Sequence, residues 1–128
     1  MKRLLRLLSC RRGATIVEFA FVAPLFLAMI FGGIDIARAT WTFGSLTYAA
    51  ERAARYASIH TSDSSPIAAS TVQTYALNAY YGESLSDNPF TYSATGCGNT
   101  VTASYAYSLA IPLVGTWSIP LTATACFP

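Results

Sequence analysis

Charge is scarce in this chain. Charged side chains make up 11% of its residues, against roughly 25% in an ordinary soluble domain. Histidine is scarcer still, with His60 alone. No second histidine or close carboxylate joins it as a metal-ligating set, and Cys97 and Cys126 are too far apart for a zinc pattern. His60 therefore reads as a solvated residue at a helix end. GxSxG, a phosphate-binding glycine loop and paired carboxylates at helical spacing are also missing. These absences argue against an enzyme, a bound metal and a cofactor. Beyond Gly13 the basic residues are Arg38, Arg52 and Arg55, while the acidic ones number six. Such a balance offers no nucleic-acid-binding surface. Disorder is excluded too, because 53% of the residues are hydrophobic, too many for a chain that cannot collapse.

What charge there is sits mostly at the start. Lys2, Arg3, Arg6, Arg11 and Arg12 precede an apolar run from Gly13 to Ile34 in which Glu18 is the only ionisable residue. A helix of that length spans roughly 33 Å, enough for a hydrocarbon core of about 30 Å. The basic head predicts a cytoplasmic N-terminus, an exported body and contact with membrane lipid. A removable secretory signal has a shorter apolar region, of about 7–15 residues. The sequence "ARA" at 37–39 mimics a cut site, but Asp35 and Arg38 crowd it. An uncleaved single-pass anchor remains open. Pro24 removes a backbone donor inside the run and is expected to kink or loosen the helix. Gly32-Gly33 marks a second soft point.

Helical spacing continues past the apolar run. Leu46, Ala49, Ala50, Ala53, Ala54 and Ala57 form a small apolar stripe at i, i+3, i+4 intervals. Asp35–Arg38 and Glu51–Arg55 are spaced as helical ion pairs. The spacing predicts one helix of about 45 residues, ending near Ile59. Ser65-Pro66 reads as the start of a second helix and Gly82 as its stop. Its apolar face comprises Ile67, Val72, Tyr75, Ala76, Ala79 and Tyr80.

The period then changes from 3.6 to 2. Val101, Ala103, Tyr105, Tyr107, Leu109 and Ile111 alternate on one strand. Trp117, Ile119, Leu121, Ala123 and Ala125 alternate on the next. "PLVG" at 112–115 joins them as a hairpin, and "FTYSAT" at 90–95 adds a short edge strand. Pro120 is expected at an edge position or bulge. The fold class is α+β: a long helix, a shorter helix and a small antiparallel sheet. An exported body makes Cys97 and Cys126 candidates for a disulfide, while Cys10 reads as an unpaired thiol on the cytoplasmic side. The eight tyrosines suggest packing on a half-buried sheet more readily than a carbohydrate-binding surface.

The stretch "RRGATIVEFAFVAPLFLAMIFGGIDIAR", followed by "LTYAAERAARYAS", resembles the TadE-like minor pseudopilins of the tight-adherence (Tad, or Flp pilus) system. The resemblance covers Arg11 to about Ser58. It implies a pilin-like arrangement: a leader (1–13), a transmembrane helix (14–34), its periplasmic continuation (35–60) and a periplasmic α+β domain (61–128). It implies cleavage between Gly13 and Ala14 by a prepilin peptidase. Glu18 and Phe19 then become the fifth and sixth residues of the mature chain. The other implied partners are pilins and pseudopilins of the same system and an inner-membrane assembly platform. The role would be assembly or initiation of a fimbria for adhesion and biofilm. A membrane-anchored binding protein or adhesin-like tip remains the alternative. A carboxylate inside a bilayer is costly unless paired. The partner implied for Glu18 is the α-amino group that cleavage creates at Ala14 of a neighbouring subunit. The other reading has Glu18 snorkelling to the headgroups.

Overall fold

The computed structural model describes residues 11–61, 65–111 and 115–128. Most of the basic head, with Cys10, lies outside them, as does most of "PLVG" at 112–115. The elements are α1 (Arg11–His60), α2 (Ala69–Ala79), β1 (Phe90–Thr95), β2 (Gly98–Ile111) and β3 (Gly115–Phe127). The fold is α+β, with a three-stranded antiparallel sheet in the order β1-β2-β3.

Helix α1 is 50 residues long and continues through Pro24 and both paired glycines. It rises about 75 Å, longer than the expected 45 residues because it already begins at Arg11. Its two halves differ. From Thr15 to Trp41 no residue is buried, and Phe21 is 79% exposed. From Thr42 onward one face is covered: Thr42, Ser45, Leu46, Ala49, Ala50, Ala53, Ala54 and Ala57 are all buried. The alanine stripe is thus the helix's contribution to the core. Short side chains there let a sheet lie close to the helix axis. Facing it are Phe90, Val101, Ala103 and Ala123 of the sheet, with Val72 and Ala76 of α2. Neither Asp35–Arg38 nor Glu51–Arg55 closes to an ion pair among the described residues. Exposed helical pairs of this kind contribute only a few tenths of a kcal/mol, so little is lost.

Two hydrogen bonds align the sheet with α1. At one end Thr61 Oγ1 donates to Asn99 Oδ1 at 3.3 Å. At the other, Ala110 N–H donates to Asp35 Oδ2 at 3.2 Å. The helix between Asp35 and Thr61 rises roughly 39 Å and the strand between Asn99 and Ala110 roughly 36 Å. Strand β2 therefore runs antiparallel to the covered half of α1 along its whole length. Its far end points back toward the apolar half.

Strand alternation holds for β2, where Val101, Ala103, Tyr107 and Leu109 are buried. On β3 it holds only in part. Ala123 is buried and Leu121 and Ala125 are half-buried, but Trp117 and Ile119 are exposed. Pro120 pairs with Ala106 on an edge strand, the position where a missing donor costs no ladder bond.

Helix α2 corrects both expected ends. It starts after Ala68, which caps it without a side-chain hydrogen bond. Ser65 and Pro66 stay outside the helix, and the non-helical run lets Ile67 pack on the core. The helix stops at Tyr80, which is already extended at φ −76°, ψ 133°. Gly82 is therefore not the terminator. Its missing side chain makes room for the Tyr80 ring, which a Cβ at that position would strike.

Cys97 and Cys126 form a disulfide across 29 residues of chain. It fastens the β1–β2 turn to the end of β3. Gly98 beside it has φ +127°, and its bare Cα accommodates the Phe127 backbone, which a Cβ would meet at 2.6 Å. Removing the bond as Cys126→Ser should lower stability by about 3.5 kcal/mol, from the entropy of a loop this size. Denaturant unfolding measures this; an unchanged midpoint would show that the bridge stabilises nothing.

Candidate functional site

Of the residues singled out at the N-terminus, Glu18, Phe19 and Pro24 are on the uncovered half of α1. Gly13 and Ala14 lie in the first turn of the helix. Glu18 follows Ala14 by four residues, one helical turn, so the two positions share a face. Glu18 is exposed among Ile16, Val17, Phe19 and Phe21, also exposed. Within a turn of it the side chains are apolar apart from the Thr15 hydroxyl. No cationic side chain lies within a turn of the carboxylate on this helix. Pro24 stands within the same helix, which carries through it without interruption.

Where the uncovered half meets the covered half, a second group of side chains gathers. An open groove of about 530 Å³ is lined by Ile34, Arg38, Trp41, Tyr81 and Glu83, among others. Trp41 and Tyr81 meet edge to face at 5.6 Å, and Tyr48 meets Tyr81 at 5.5 Å. Tyr81 is held there because its N–H donates to Ser45 Oγ at 2.9 Å. Burial pushes the Tyr107 phenol above its ordinary value; the nearby carboxylates of Glu83 and Asp35 push the same way, and Arg38 opposes them. These groups therefore sit close together at the junction. Sequence reasoning missed this cluster, along with buried Thr42 and Ser45. Both polar residues continue the stripe of Leu46 and Ala49 by one turn, and that spacing was the available signal.

The remaining candidates pack as structure. His60 Nδ1–H donates to the Tyr56 carbonyl at 2.8 Å, closing the end of α1. Tyr92 and Tyr105 lean on the core and Tyr107 is buried. Tyr92 Oη donates to Asn99 Oδ1 at 2.6 Å. The sheet thus spends these tyrosines on packing. Among the described residues no group of three His, Cys, Asp or Glu side chains could hold a metal ion.

Among the described residues, α1 is long and apolar enough to cross a membrane once. Residues 13–55 match the family described as TadE-like protein. This segment is similar to that family. The match begins at Gly13 and takes in Glu18, Pro24 and the alanine stripe as far as Ala54. The TadE-like part thus contains both the uncovered half of α1 and most of the face on which the sheet packs. Helix α2 and the sheet lie beyond it. No curated protein and no solved structure matches the chain.

Proposed function

We propose that the chain is a minor pseudopilin of a Tad-type pilus system. A prepilin peptidase cuts it between Gly13 and Ala14. The mature protein is held in the inner membrane by residues 14–34, with its body in the periplasm, and it acts in assembly or initiation of the fibre. The observation that carries this reading is the division of α1. A membrane-length, uncovered half carries Glu18 five residues after Gly13, and a single unbroken helix joins it to a half that bears the folded body. The TadE-like match from Gly13 onward supports the same reading. The Cys97–Cys126 disulfide suits an oxidising compartment, as the basic head suits a cytoplasmic N-terminus.

In this account Glu18 pairs with the α-amino group of Ala14 in a neighbouring subunit. The pair neutralises two charges that lipid would otherwise penalise. Only a processed chain supplies the amine, so the pairing favours correctly cut subunits. Its other partners are pilins of the same system and an assembly platform in the membrane. The Glu18→Ala variant should insert and fold normally, yet co-purify with its pilin partners at least about tenfold less well, since an unpaired buried charge costs several kcal/mol. Recovery at the wild-type level would contradict the pairing.

A further inference from the structure

The apolar face of the β2–β3 hairpin is covered on β2 but left open on the edge strand β3. Opposite buried Leu109 stands Trp117, 62% exposed, and opposite buried Tyr107 stands Ile119, 40% exposed. Directly opposed residues of an antiparallel pair share a face. Trp117 and Ile119 therefore belong to the face on which Val101 and Ala103 are buried. Their level along the molecule is set by the Ala110–Asp35 hydrogen bond. Trp117 pairs with the residue next to Ala110, so it lies within about 3 Å of that level along the strand. Asp35 is the first ionisable residue after the apolar run. Ile34 and Ile36 on either side of it are exposed.

We propose that this end of the hairpin rests in the interfacial layer of the bilayer, with Trp117 and Ile119 facing phospholipid. The inference rests on residues 14–34 being a membrane span. Asp35 then marks the height at which hydrocarbon gives way to headgroups, and Trp117 stands at that height. An indole suits the layer, with an apolar ring and one N–H donor. Charge fits as well: no Asp, Glu, Lys or Arg occurs after Asp87, whereas an edge strand facing water is commonly protected by charge. A second protein is the poorer occupant. A stable interface needs about 800 Å² from each partner, far more than one tryptophan and one isoleucine present, while a lipid surface needs only an anchor. Two points of attachment, the span and the hairpin end, would stop the body swinging about Gly32-Gly33 and hold it at a fixed tilt.

Tryptophan fluorescence of the full chain in phosphatidylethanolamine–phosphatidylglycerol vesicles tests this. The chain has two tryptophans, so Trp41→Phe leaves Trp117 as the only emitter. Its emission should be blue-shifted and should lose most of its intensity when the acyl chains carry bromine near the headgroup end. Trp117→Phe reports the same quantity by difference if the first variant folds poorly. A third variant, Phe21→Trp with both native tryptophans replaced by phenylalanine, reports on the span. Quenching of the Phe21→Trp emission while Trp117 stays red-shifted and open to iodide would overturn the inference and leave the span intact. Failure of both probes would overturn the span itself. Emission from Trp117 that is shielded from iodide, ignores bromine and reverts on diluting the protein in lipid would mean that a second copy covers it, which also overturns the inference.

Discussion

Replacing Ala53 by leucine should destabilise the folded body by about 2–3 kcal/mol, because added methylenes at a closed contact force the backbone or neighbouring side chains to move. Ala53 is fully buried at the centre of the stripe, with Ala49, Ala50, Ala54 and Ala57 equally covered. Val101, Ala103 and Ala123 of the sheet belong to the same core, so there is little room for a γ-branched side chain. A small domain commonly has only about 5–15 kcal/mol of stability, so the loss would be a large share of the total. The same change on the other half, Ala28→Leu, should leave the unfolding midpoint where it was, since no residue there is buried. Denaturant titration of both variants in one detergent makes the comparison. Equal midpoints would mean that the sheet does not lie on this face of α1.

The contrast between those two alanines was legible before any coordinates. Every residue of the stripe from Leu46 to Ala57 is buried, because a period of 3.6 on one helix directly encodes one covered face. The inward face of β2 was legible by the same logic with a period of 2. The ends of α2 were not. Ser65-Pro66 and Gly82 are strong local signals, but Ile67 and Tyr81 have tertiary contacts that require an extended chain on either side. Ile67 packs on the core and Tyr81 N–H reaches Ser45 Oγ. Local capping is worth about 1 kcal/mol, and such contacts can outweigh it. Trp117 misled for a different reason. Alternation gives the face of a residue but not whether a neighbouring element covers that face as far as the edge strand. Asp35 likewise read as a partner for Arg38, since its bond to Ala110 joins residues 75 apart in sequence.

The candidate site divides in the same way. Gly13, Glu18 and Pro24 were identified as positions; all three lie in one helix, and Glu18 and Pro24 stand on its uncovered apolar half. The junction cluster of Arg38, Trp41, Tyr81 and Glu83 draws on two distant segments, so no local pattern could reveal it.

Gly13→Val should block maturation completely. A peptidase that cuts after glycine accepts a residue with no side chain, and valine adds a β-branched bulk at the scissile bond. The variant would enter the membrane with its five leading cations in place. The amine at Ala14 would never form, and Glu18 would lack its partner even though its own position is unchanged. Assembly should therefore fail in Gly13→Val as is expected for Glu18→Ala, while the folded body and its disulfide should remain intact in both. Gel mobility with and without the peptidase distinguishes them: Glu18→Ala shifts when the enzyme is present and Gly13→Val does not. A peptidase-dependent shift in Gly13→Val equal to that of the wild type would place the cut elsewhere.

The mass of the wild-type chain recovered from its own membrane tests the central claim most directly. The account predicts a protein that begins at Ala14 and lacks residues 1–13. A chain that retains Met1, or one that begins at Thr40, would contradict it.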